Sequence, residues 1–83
     1  MSPQEQTLCR LQNLQYHRQQ LQAVETALQE LTPEERLVAQ LMLIAPQKGN
    51  ADRLCEMLEL ERSSIYRRRQ SVLTKLSRTL YPS

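Results

Sequence analysis

Apolar side chains along this chain recur at the three- and four-residue intervals of an amphipathic helix, and nowhere alternate as in a half-buried strand. The clearest stripe is Ile65, Val72, Leu76 and Leu80, flanked by Leu73. It predicts one long helix over about residues 62–80 with an inward face. Just before it, Leu54, Cys55 and Leu58 make the inward face of a short helix over about 51–58, joined by Met57. Asn50 is a suitable N-cap for that helix, and Glu59-Leu60-Glu61 reads as the turn after it, with Leu60 directed inward. Further upstream, Leu37, Val38, Leu41, Met42 and Ile44 give residues 33–45 apolar surface on more than one side, as expected of a central core helix. Its start is marked by local chemistry. Thr32 can cap, Pro33 suits the first helical turn, and Glu35 completes a capping box. Pro46 and Gly49 bracket the turn that follows.

The N-terminal third is patterned differently. Residues 4–31 contain no Gly or Pro and are rich in Gln, Leu, Glu and Arg, which predicts a single long helix. Leu14, Leu21 and Leu28 recur every seven residues, with Val24 and Leu31 at the complementary seam positions. Upstream the seam weakens, where Thr7, Arg10 and His17 occupy the equivalent places, and Leu8 and Leu11 widen the apolar face. Two readings stand. In one the helix forms a homodimer through Leu14, Leu21, Val24 and Leu28; in the other it packs on its own domain. A seam of under three heptads does not decide between them. The expected architecture is all-α, with residues 1–31 as an N-terminal amphipathic or coiled-coil helix and 32–83 as a three-helix domain.

Charge sharpens this picture. Residues 1–61 carry five basic and nine acidic side chains, a net −4, whereas residues 62–83 carry Arg62, Arg67, Arg68, Arg69, Lys75 and Arg78 with no acid, a net +6. Segregation of basic charge onto one helix is the electrostatic footprint of a polyanion binder. The cysteines, Cys9 and Cys55, are isolated, and His17 is the only histidine, so a four-ligand zinc site is not expected. No catalytic constellation, cofactor motif or Gly-rich phosphate loop stands out. The longest apolar run, Leu41 to Ala45, is far too short to span a membrane. A cytoplasmic protein without membrane or cofactor partners is expected.

A short helix, a tight turn and a longer helix that opens on basic and small polar residues form the layout of a helix-turn-helix DNA reader. Two blocks strengthen it: Leu31-Thr32-Pro33-Glu34-Glu35-Arg36-Leu37, and the run Leu54-Cys55-Glu56-Met57-Leu58-Glu59-Leu60-Glu61-Arg62-Ser63-Ser64-Ile65-Tyr66-Arg67-Arg68-Arg69. Together they resemble the helix-turn-helix of sigma factor region four, and more closely the short ArpU-type and RinA-type phage transcriptional regulators, over about residues 31–80. The chain departs from that pattern at four positions. Cys55 stands for a small Ala, Glu59 for the turn Gly, Glu61 for the capping Ser, and Arg68 where relatives carry an apolar residue whose place its stem can take. The resemblance implies sequence-specific binding of double-stranded DNA, with the helix 62–80 in the major groove. Arg62, Ser63, Ser64 and Arg67 match the family's contact positions. Tyr66 is placed to touch sugar, phosphate or a thymine methyl, or else is partly buried. Arg69, Lys75 and Lys48 are assigned to phosphates. Two other readings share the layout: an adaptor docking on RNA polymerase or a sigma factor, and a small DNA-packaging subunit of the terminase kind.

Overall fold

The computed structural model describes residues 1–13 and 22–81. These residues are helical, with no strand among them. The helices are α1 (Pro3–Asn13), α2 (Gln22–Gln29), α3 (Pro33–Ala39, continued by a π-helical turn over Gln40–Ile44), α4 (Asn50–Leu58) and α5 (Arg62–Leu80). From Thr32 onward the elements fall within a residue or two of the expected ones.

The start of α3 forms as its residues dictate. Thr32 Oγ1 accepts the backbone N–H of Glu35 at 3.2 Å, and the Thr32 N–H donates to Glu35 Oε1 at 2.9 Å. Pro33 has no N–H, so two of the three donors that this helix start leaves unpaired are thereby satisfied. The π turn was not expected, and burial explains it. Val38 and Ala39 are buried, and the next buried pair is Leu43 and Ile44, five positions on. A regular α-helix would bring Met42 and Leu43 inward instead. The wider turn, closed by Ala45 N–H to Gln40 O at 3.1 Å, puts Leu43 and Ile44 beneath the first pair and leaves Met42 half-buried.

Ending the helix in a π turn leaves a problem that Asn50 solves. The carbonyl of Leu41 would next receive residue 46, but Pro46 has no N–H to give. Asn50 Nδ2 donates to it at 2.8 Å, and to Ala45 O at 3.4 Å. Asn50 is therefore not the N-cap of α4. It is the first helical residue, 3% exposed, and Gly49 holds the cap position at φ 89, a left-handed conformation that glycine adopts without strain. Losing a partly buried bond of this kind costs on the order of 1 kcal/mol, because the carbonyl loses its partner.

The turn between α4 and α5 keeps the left-handed geometry that the resemblance assigns to a glycine. Glu59 adopts φ 55 and ψ 46, the one non-glycine residue at positive φ among the described residues. Its N–H and that of Leu60 both return to Cys55 O, and Leu60 packs on the core as expected. The left-handed conformation costs an L-residue roughly 1–2 kcal/mol, and glycine gives back about 0.5–1 of that through its freer unfolded chain. Glu59→Gly is therefore expected to stabilise the fold by about 0.5–1 kcal/mol, read as a melting temperature raised by roughly 2–8 °C. An unchanged or lowered melting temperature would show that the turn carries no such strain.

The N-terminal region differs most from expectation. Along α1, Gln4 meets Gln70 (3.3 Å), Thr7 meets Ser77 (3.0 Å) and Arg10 lies over the Tyr81 ring (5.1 Å to the centroid). Thus α1 runs parallel to α5 and reaches its C-terminal end by Arg10. A straight helix continuing from there would carry Gln29 about 28 Å further, past the end of α5. Instead Val24 and Ala27 of α2 are buried in the core, and Glu30 accepts from Thr79. The single helix expected over 4–31 is, among the described residues, two helices that both lie on α5. The boundary expected at residue 31 does not divide the core, since Leu11, Val24 and Leu31 share it with Leu43, Leu54, Ile65 and Leu76. Val24 is fully buried and Leu28 half-buried within the chain's own core, while Leu14 and Leu21 lie outside the described residues. Of the two readings of the heptads, these placements favour packing on the chain's own domain. A buried hydrogen-bond chain ties α1 down: Ser77 Oγ donates to Thr7 Oγ1, which donates to Pro3 O at 2.7 Å.

Candidate nucleic-acid interface

Helix α5 is positioned from several sides. Ile65, Val72, Leu73 and Leu76 are buried, α3 and α4 pack on this helix, and α1 and α2 meet its C-terminal half. The exposed side chains follow helical spacing, Ser63, Arg67, Ser71 and Arg78 with half-buried Thr74 among them, and Tyr66 lies to one side at 48% exposed. Three of these, Ser71, Thr74 and Arg78, were not singled out from sequence. Their spacing from Ser63 and Arg67 was the available signal.

The expected contact residues divide sharply. Ser63, Tyr66 and Arg67 stand exposed on the first two turns, with Ser64 half-buried beside Ile65. Arg62 is exposed but turned toward α4, its Nε 3.5 Å from Asp52 Oδ1. Arg68 meets Glu34 on the first turn of α3, so its charge has a partner. Lys75 Nζ lies 3.1 Å from Glu35 Oε1 and is committed to the capping box rather than standing free for a phosphate. Arg69, expected on the outer flank, falls four residues after Ile65 and seven before Leu76, within the buried stripe, and is half-buried. Lys48 is exposed on the α3–α4 turn, apart from the helix that carries the others. Met57, expected to join the inward face, is 55% exposed.

The charge segregation seen in sequence is thus partly internal. Acids from α3 and α4 pair with three of the six basic residues that follow Glu61. Among the described residues, Arg67 and Arg78 are the exposed arginines of α5 without an ion-pair partner. The start of α5 is itself acidic: Glu61 holds the N-cap position with no side-chain cap bond, and Glu59 is exposed beside it. A carboxylate suits the positive end of a helix but opposes an approaching phosphate.

Glu35 links the cap to this surface. The Thr32 backbone N–H holds its carboxyl below its usual range, Lys75 adds to this, and partial burial opposes it. A depressed folded-state pKa contributes stability that is present above the unfolded value and is lost as pH falls through the folded one. The wild type is expected to be more stable than Glu35→Gln at neutral pH, with the difference shrinking at about pH 3. Urea midpoints of both proteins at the two pH values test this. A difference that does not change with pH would show that the ionised carboxyl is not what matters.

In comparisons with known proteins, no family model matches the chain, and no curated protein or solved structure matches it significantly.

Proposed function

We propose that the chain is a sequence-specific double-stranded DNA-binding protein of the phage-regulator kind, reading the major groove with the start of α5. The observation that carries this reading is the arrangement of α4, the left-handed Glu59 turn and α5, which leaves Ser63, Tyr66 and Arg67 exposed on the first two turns of the second helix. Recognition helices reach base edges with those turns. Arg67 is the residue assigned to bidentate contact with a guanine, because it makes no ion pair among the described residues. Arg62 must first leave Asp52. Selection of bound sites from random duplex DNA, followed by titration at two salt concentrations, tests the reading. A shared site should emerge, and affinity should fall steeply with salt as counterions released on binding are restored. A chain that retains no duplex at low salt overturns it.

A second reading, an adaptor docking on RNA polymerase or a sigma factor, is supported by a different observation. Met57 is exposed on α4, and the turn into α5 carries Glu59 and Glu61. An apolar anchor beside acids suits a basic protein surface better than a phosphate backbone.

A further inference from the structure

From Arg67 onward, α5 floors an open trough of about 670 Å³ lined by Arg67, Gln70, Ser71, Thr74, Lys75, Arg78 and Thr79. One rim is the start of α1, where Gln4 bonds to Gln70 and Ser2 and Pro3 lie near Thr74 and Arg78. The other is the α2–α3 junction, where Glu35 holds Lys75 and Glu30 accepts from Thr79. Glu35 thus occupies Lys75, and the Thr79 hydroxyl is shared between Glu30 at 3.5 Å and the Lys75 carbonyl of its own helix at 3.2 Å. The floor between them keeps Arg67 and Arg78, eleven residues and so about 16 Å apart, with the hydroxyls of Ser71 and Thr74 in between. Its lining side chains are polar or basic, with none of the large apolar or aromatic residues through which a protein helix is usually anchored. With Arg67 assigned to a base edge, Arg78 and the hydroxyls of Ser71 and Thr74 are left to meet phosphate oxygens beyond it.

We infer that this trough takes the sugar-phosphate backbone of the duplex flanking the site that the start of α5 reads. The inference rests on the proposed DNA-reading function and is continuous with it through Arg67, which belongs to both surfaces. Its added content is that Arg78, eighteen residues beyond Leu60, is a backbone contact that a minimal site would not reach.

The experiment compares wild type with Arg78→Gln on two duplexes, one ending at the selected site and one extended by about half a helical turn, roughly five base pairs, on each side. Circular dichroism confirms that both proteins are folded. Wild type should bind the extended duplex more tightly, with a salt slope steeper by roughly one unit. Arg78→Gln should lose that gain and that slope while binding the short duplex as wild type does. If Arg78→Gln keeps the full gain, or if extension gives wild type none, the inference is wrong and the DNA-reading function stands. If wild type retains neither duplex, both fall.

Discussion

Leu54→Ala is expected to lower the stability of the fold by about 2–5 kcal/mol. Leu54 is fully buried on α4, in one cluster with Leu43 of the π turn and Ile65 of α5. Truncating it removes apolar contact on both sides and leaves a cavity that two helices cannot both move to fill. A domain of this size has a total stability on the order of 4–12 kcal/mol, so the change reaches a large fraction of it. The melting temperature should fall by roughly 10–30 °C. Thermal and urea unfolding followed by circular dichroism give the measurement. A shift of only a few degrees would mean that α4 is not keyed to α5 through this side chain.

The second large effect concerns binding. Arg67→Ala should cost about 1–3 kcal/mol on the selected site and relax the choice of base there. Arg62→Ala should cost less, since its guanidinium already lies 3.5 Å from Asp52 and must give up that partner to reach DNA. Neither change touches Ile65, Val72 or Leu76, so both proteins should stay folded. Titration of each variant on selected and scrambled duplexes separates base reading from general attraction. Equal losses for the two variants would show that the ion pair with Asp52 does not distinguish them. If folded Arg67→Ala binds like wild type, α5 is not a reading helix.

Where local chemistry decides structure, it was legible in sequence. Thr32, Pro33 and Glu35 define a helix start without help from the rest of the chain, and the all-helical class follows from spacing alone. Glu59 was readable as a departure from a turn glycine, though not that the chain would still hold it at positive φ. That α1 and α2 both lie on α5 was not legible, because an amphipathic stripe has the same spacing whichever neighbour it packs against, and no Gly or Pro punctuates residues 4–31. Asn50 follows the local capping rule until an unpaired carbonyl nine residues earlier claims its side chain. The candidate surface was legible in composition but not in availability. That Arg62, Arg68 and Lys75 meet acids of other helices is a tertiary fact, and it transfers weight to Arg67 and to the unremarked Arg78.

The Thr7–Ser77 contact has a consequence for how this chain can change over time. Ser77 donates to Thr7, and Thr7 donates to Pro3, so each hydroxyl depends on the next. Replacing Thr7 alone by an apolar residue strands a buried Ser77 hydroxyl, whereas replacing both by apolar residues of similar volume leaves nothing to satisfy. Two positions seventy residues apart in sequence are thus bound to drift as a pair, and related chains should carry either two hydroxyls there or none.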